Sequence, residues 1–412
     1  MDTLHRRCCG LDVHKDSVQA CVRLIDDNGV WTSRVRSFST MTASLLQLAD
    51  WLAELEVTQV AMEATGVYWK PIWNLLEDRF ELILANARHI KNVPGRKTDV
   101  ADCQWIAQLL QHGLLRSSFV PDRPIREARD LTRHRTQLVG EKTRVANRIQ
   151  KVLEDTNIKL ASVATDILGK SGRMMLKAMI EGVDDPKALA KMALGKLRKK
   201  EGQLQLALQG RMSEHHRFQL RLLMDQLDGL EALIERIETR LDQMMKPLSE
   251  TMQRLDEIPG IDVRAAQSIV SEIGTDMSRF ASADHLCSWA GMCPGNHESA
   301  GKRRRGTTRP GNRWLRMTLT QCAWAASHCK NRYLSSQYRR LASRRGKKKA
   351  LIAVGHSILA ILYSMLKEGS HYRDLGGDWF DRQNSHRLKQ HLVKRLEGLG
   401  YQVTLEARSP AP

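Results

Sequence analysis

Between Cys8 and Ala87 the chain alternates two rhythms of apolar residues. Cys8–Val13, Val18–Ile25 and Val30–Ser39 are short runs rich in β-branched residues, and Asp26-Asp27-Asn28-Gly29 separates the last two, which is the pattern of strands joined by a turn. Leu45, Leu48, Ala49, Leu52 and Leu55 then recur three and four apart, the stripe of an amphipathic helix. Gln59–Ala64 predicts a strand, Trp69–Leu76 a helix and Glu81–Ala87 another strand. After Pro94-Gly95 the pattern is helical almost throughout, with Val100–Leu115 as one helix, Glu127–Leu153 as a long basic one, and a less regular helical stretch from Leu160 to Leu206.

Leu220, Leu223, Leu227, Leu230, Ile234, Ile237, Leu241 and Met244 alternate three and four apart, which predicts either a self-associating heptad coiled coil or a long helical hairpin packed within the chain. Gly229 weakens that helix by about 1 kcal/mol relative to alanine, and Pro247 ends or kinks it. Ile258-Pro259-Gly260-Ile261 through Ile273-Gly274 reads as a helix-hairpin-helix, a tight turn whose amides open a helix and bind phosphate without reading bases, or a purely structural turn. Ala350–Leu366 is the most apolar stretch and follows a basic run. It is short for a membrane span and carries His356, Ser357 and Ser364, so a buried helix is expected.

Three strands in a meander followed by alternating helices and strands is the order of a ribonuclease-H-like layered α/β domain. The fold class expected is therefore α/β plus α: that domain over residues 1–125, a basic helical region with the long coiled-coil helices over 126–250, a mostly helical domain with the helix-hairpin-helix over 251–385, and a tail from 386 to 412.

Charge narrows the partners. The 412 residues carry a net charge of +19 with a pI near 9.8, which favours nucleic acid over a membrane surface. Eight cysteines form no Cys-x-x-Cys pair, and Met1–Arg7 has no apolar signal core, so a reducing cytoplasm with free thiols is expected. His285, Cys287, Cys293 and His297 lack the paired spacing of ordinary zinc sites.

In so basic a chain, four acids stand out. Asp12 lies inside the first strand, where a carboxylate among apolar neighbours is costly unless paired or bound to metal. Glu63 ends a later strand just before Ala64-Thr65-Gly66, which would bring its carboxylate to the same sheet edge. Asp99 and Asp102, three apart, would share one helix face. Carboxylates converging from several elements suit magnesium or manganese, which take oxygen ligands, and two such ions can stabilise the attacking and leaving oxygens of a phosphodiester. An acidic first helical turn favoured by the helix dipole is the structural alternative for the Asp99 and Asp102 pair.

A second constellation runs from Pro294 to Gly306 and on to Arg316. Ser299 sits beside Lys302, Arg303, Arg304 and Arg305, with Arg309, Arg313 and Arg316 following. A serine hydroxyl on a loop lined by guanidinium groups can attack a phosphodiester while those groups hold its oxygens, with His297 or Glu298 near in sequence as a base; it can equally be a simple nucleic-acid contact. Trp289, Trp314, Trp324 and Tyr333 interleave with the basic residues and could stack on unpaired bases, although core packing is the expected role of Trp314 and Trp324.

Taken together, Gly10-Leu11-Asp12-Val13-His14-Lys15, Glu63-Ala64-Thr65-Gly66-Val67-Tyr68, Lys97-Thr98-Asp99-Val100-Ala101-Asp102, Ile258-Pro259-Gly260-Ile261, Ser299-Ala300-Gly301-Lys302 and Gly311-Asn312-Arg313 resemble the insertion-sequence 110 family of transposases, also called DEDD transposases, in the family's order along nearly the whole chain. Cys103, where alanine is usual, and Ala300, where many relatives have glycine, depart from that pattern without removing a proposed ligand or nucleophile. The resemblance implies a RuvC-like N-terminal domain with Asp12, Glu63, Asp99 and Asp102 as a metal-binding tetrad, and a C-terminal domain with Ser299 as catalytic serine. It further implies a covalent phosphoserine link to DNA, a homo-oligomer (dimer or tetramer), and a structured guide RNA that pairs with donor and target DNA. A RuvC-like nuclease or junction resolvase that uses water, and a non-catalytic coiled-coil nucleic-acid-binding protein, are the alternatives.

Overall fold

β1 (Arg7–Val13), β2 (Ser17–Ile25) and β3 (Trp31–Ser39) form an antiparallel meander, and β1 also pairs in parallel with β4 (Gln59–Glu63), which pairs in parallel with β5 (Glu81–Ala85). The sheet order is β3-β2-β1-β4-β5, consistent with a ribonuclease-H-like domain. The computed structural model describes residues 3–406 except 27, 65, 94–100, 296, 297, 300 and 304–306, and only the backbone of 88, 91, 92, 298, 299, 302, 303 and 387. The chain falls into two units, Met1–Val120 and Pro121–Pro412.

In the first unit the period-two alternation of the strands sorts side chains onto two covered faces. Cys9, Leu11 and Val13 point with Val60 and Met62 into a core closed by Leu45, Leu48, Ala49 and Leu52 of α1 (Thr42–Glu54) and Ile72, Trp73 and Leu76 of α2 (Trp69–Leu76). Cys8, Ala61 and Ala85 face the other way, against Trp105, Ile106, Leu109 and Leu110. Those four belong to α4 (Asp102–Gln111), which follows the short α3 (Ala87–Asn92). α4 lies directly on β1 at Gly10, where a Cβ would stand 2.3 Å from the Ala107 nitrogen and 2.4 Å from the Cys103 carbonyl oxygen. Only a residue without a side chain lets the helix come that close.

The second unit opens with α5 (Arg123–Asp155), and after four short helices, α6 to α9 (Leu160–Val163, Lys170–Ile180, Pro186–Lys191, Glu201–Ala207), comes α10 (Glu214–Met244). Arg135 pairs with Glu238, Lys142 with Glu231 at 2.8 Å, and His216 lies 3.2 Å from Asp155, so α5 and α10 run antiparallel. Leu220, Leu227 and Leu230 of the heptad stripe bury against Leu138, Val145, Ile149 and Leu153, so within this chain α5 covers that seam.

α11 (Ser249–Asp256) and α12 (Val263–Ile273) are joined by a turn in which the Ile261 N–H donates to the Ile258 carbonyl at 3.0 Å. Gly260 occupies the third position at φ +89°, the conformation a type II turn demands there. α13 (Ala283–Trp289), a two-stranded hairpin of β6 (Glu298–Ser299) and β7 (Lys302–Arg303), α14 (Arg313–His328), α15 (Tyr333–Arg345) and α16 (Lys347–Glu368) follow, then α17 (Trp379–Gln383) and α18 (Ser385–Glu397). α16 is the one described helix long and apolar enough to cross a membrane. Val354, Ile358, Leu359 and Leu362 bury it among α13, α14 and α15 instead.

Candidate nucleic-acid-processing site

Leu11 of β1 stands opposite Met62 of β4, so Asp12 and Glu63 come next in register, at the C-terminal ends of neighbouring parallel strands. Alternation gives Asp12 the face of Gly10 and Glu63 the face of Ala61, which is the face covered by α4. The Asp12 carboxylate is 18% exposed, and its Oδ2 lies 3.1 Å from Nε2 of His14. Asp102 is the first residue of α4 and the acid of its first turn. Cys103 follows Asp102 on α4, and its thiol pKa is raised, first by burial and then by the negative charges of Asp12 and Asp102. Both carboxylates therefore lie close enough to act on one buried side chain where α4 meets the sheet.

The helix expected from Val100 begins at Asp102, with Ala101 in extended conformation as its N-cap. Asp99 lies outside the described residues. Among the described residues no group of three His, Cys, Asp or Glu side chains stands close enough to hold a metal ion. By chemistry the donor set fits: hard carboxylate oxygens from separate elements are what magnesium and manganese take.

In the second unit Ser299 and Lys302 pair across the β6–β7 hairpin, as do Glu298 and Arg303. The hairpin rises from a narrow neck. Pro294 bridges Thr308, and the Gly295 N–H donates to the Thr307 carbonyl at 2.9 Å. Below them, a Cβ on Gly311 would stand 2.4 Å from the Gly291 nitrogen, and one on Gly291 2.8 Å from the Gly311 nitrogen. Arg304 and Arg305 lie outside the described residues. Arg309 and Arg313 are exposed and Arg316 partly so, at the neck and along the first turn of α14.

The neck ends on a residue that anchors it. Oδ1 of Asn312 caps α14 by accepting from the N–H groups of Trp314 at 3.0 Å and Leu315 at 3.1 Å, while its Nδ2 donates to Oε2 of Glu272 at 2.5 Å. Glu272 is buried on α12 and also accepts a bidentate pair from Arg133, at 2.7 and 2.8 Å. Arg129 donates to the Ser271 carbonyl at 2.9 Å and to the Glu272 carbonyl at 2.8 Å. Burial lowers the Arg129 guanidinium to about 10, against the opposing pull of Glu272. This hub, joining α5, α12 and α14, did not come out of the sequence motifs; an acid inside the apolar run Ile269-Val270-Ser271-Glu272-Ile273 was its one signal.

Two further expectations meet the structure here. Trp314 is partly buried between Arg313, 4.7 Å from its ring centroid, and Arg133 at 5.8 Å. Trp324, expected in the core, is instead 52% exposed, because Leu315, Leu319, Cys322, Ala323 and Ala326 make the buried side of α14 and Trp324 falls on the other. At the hairpin turn, the first amides of α12 are partly occupied from within: Oδ1 of Asp262 accepts from the Ala265 N–H at 2.7 Å.

Residues 9–158 match the model of a DEDD-type IS110 transposase, and residues 252–339 match that of the transposase IS116/IS110/IS902 family. The chain belongs to the IS110 family of transposases. The first match covers the strands and helix that carry Asp12, Glu63 and Asp102, and the second covers the hairpin of Ser299 and the hub at Glu272. The chain is 27% identical to the transposase for insertion sequence element IS1111A of Coxiella burnetii over 88% of its own length and 90% of that protein's. It is 26% identical to a probable family 20 transposase of Pseudomonas aeruginosa, over 79% of this chain and 89% of the relative. A putative transposase of Sinorhizobium fredii is 23% identical over 90% and 92%. This IS110-family transposase is thus a DNA-processing enzyme of an insertion sequence, and its family points to dependence on a divalent metal.

Proposed function

We propose that this transposase cuts and rejoins DNA through a phosphoserine link at Ser299. The observation that supports it best is the backbone pairing of Ser299 with Lys302 beside the tip of a hairpin whose neck is fixed at Gly291 and Gly311. In the attack the Ser299 Oγ–P bond forms as the P–O bond to the leaving strand breaks, and the hydroxyl proton passes to His297 or Glu298, its neighbours in sequence. A strand hydroxyl then attacks the same phosphorus and releases Ser299 to complete rejoining. Lys302, Arg303, Arg304, Arg305, Arg309, Arg313 and Arg316 hold the phosphates.

Asp12, Glu63, Asp99 and Asp102 are proposed to bind magnesium or manganese, which when present supplies charge stabilisation at the reacting phosphate. The family resemblance adds a structured guide RNA, pairing with donor and target DNA, and an oligomeric assembly. The exposed stripe Arg144, Arg148 and Lys151 on α5 is a fitting surface for nucleic-acid backbone. The α11–α12 turn is proposed as a helix-hairpin-helix phosphate contact.

The test uses purified protein, magnesium, junction DNA of the element and RNA transcribed from its ends. A denaturing gel is expected to show a protein–DNA adduct that is absent with Ser299→Ala and with Asp102→Asn. Strand cleavage without any adduct would replace this reading with a nuclease that uses water.

A further inference from the structure

α14 carries more than the hub. On its outer side Arg313, Arg316, Met317, Thr320, Gln321 and Trp324 line an open groove of about 580 Å³, closed on its far side by Leu351 of α16. Their spacing along the helix, in steps of three and four, makes one continuous face. The face is graded: two arginines stand at the end next to the hairpin neck, Met317 and Thr320 follow, and the half-exposed indole of Trp324 lies at the other end, with the ring of His328 edge-on at 4.5 Å. Lys347 and Lys348, one turn before Leu351, are exposed on α16 beside it.

Cationic rims with an aromatic and apolar floor are what a single nucleic-acid strand requires: phosphates on the charged groups, a base on the ring face. A duplex offers no unstacked base to such a floor. A protein partner would have to bring acidic side chains opposite the arginines and lysines, whereas a nucleic-acid strand carries a phosphate at every nucleotide. Arg313 directly follows Asn312 at the neck of the hairpin that carries Ser299, so on the serine reading the strand offered to this groove is DNA. We propose that the groove takes an unpaired segment of DNA next to the cleavage point, with a base stacked on Trp324 and phosphates farther along the same strand on Arg313 and Arg316. This rests on the serine reading for its choice of DNA, while the groove's preference for a single strand does not.

Binding of the full-length protein is measured by fluorescence anisotropy in magnesium-free buffer, with labelled oligothymidylate, a duplex of the same length and oligouridylate. Loss of one stacked base lowers affinity about 5- to 150-fold, so Trp324→Ala is expected to weaken oligothymidylate by that factor. Trp324→Phe keeps most of the affinity, and the duplex is unaffected in both variants, which also reports an intact fold. Equal losses for duplex and single strand, or no loss at all, would overturn the proposal; a loss confined to oligouridylate would overturn the assignment to DNA. These measurements involve no strand cleavage, so absence of the Ser299 adduct with the Trp324 dependence intact would count against the serine chemistry alone.

Discussion

Glu272 accepts a 2.5 Å hydrogen bond from the Asn312 amide, which ties a buried carboxylate of α12 to the cap of α14 at the base of the serine hairpin. Because Arg133 and Arg129 crowd the same carboxylate, its removal takes from Arg133 its bidentate partner and from Arg129 the strongest of its attracting charges. Truncating one partner of a buried ion pair typically costs about 3–5 kcal/mol, and Glu272→Ala is expected to lose stability in that range. Denaturant unfolding measures it; a loss below about 1 kcal/mol, the scale of an exposed pair, would mean the hub is not structural.

Gly10→Ala would put a methyl group against backbone atoms of Cys103 and Ala107. Helix backbone cannot yield as a side chain does, so α4 must lift from β1, carrying Asp102 away from Asp12. Overpacking of this kind costs about 1–3 kcal/mol, and the upper end is expected here together with loss of transposition. A variant with wild-type melting temperature and activity would show that the close contact is dispensable.

On the proposed reading, magnesium held by the carboxylates would stabilise the folded state by mass action, by about 2.7 kcal/mol at a hundredfold excess over Kd. Titrating magnesium into the wild-type protein is expected to raise its melting temperature, an effect lost in Asp12→Asn and absent after chelation. Equal shifts in both proteins would remove Asp12 from the metal set.

Burial pushes the thiols of Cys8, Cys287 and Cys322 up to about 12 and that of Cys21 to about 11. In the unfolded chain they ionise near about pH 8.5, so between that pH and 11 to 12 the folded state holds the more protons. The stability tied to these thiols is whole below the unfolded value and declines as pH rises through this window. Unfolding midpoints are expected to fall from neutral pH to alkaline, less steeply in Cys322→Ala. In native protein a thiol-exchange reagent is expected to reach Cys293 and Cys329, the two cysteines that are not fully buried, well before the other six; rapid reaction of Cys8 or Cys322 would contradict the packing.

Each phosphate contact contributes about 0.7–0.9 to the slope of log affinity against log salt. Arg316→Ala is expected to flatten that slope by about one such unit without altering sequence preference. An unchanged slope would place Arg316 away from the backbone.

Much of the first unit could be read directly from residues. The strand-like runs Cys8–Val13 and Val18–Ile25 and the three-and-four stripe of Leu45–Leu52 are local signals, and local hydrogen bonding and side-chain direction turn them into strands and a helix without outside help. The same applies to the turn at Pro259-Gly260 and to the acids of β1 and β4, whose types and positions announce chemistry before any fold is known. Tertiary structure decided the rest. A heptad stripe fixes which face of α10 is apolar but not what covers it, and α5 covers it here. Trp324 has the same sequence surroundings whether buried or exposed; the packing of the opposite side of α14 turned it outward. Gly10 is one glycine among 27 until α4 is laid upon it, and Glu272 one acid among 46 Asp and Glu residues until Arg133 and Asn312 reach it from α5 and α14. Periodicity records which way a side chain points along its own element, whereas contact between distant elements depends on how those elements meet, and no single segment of sequence carries that information.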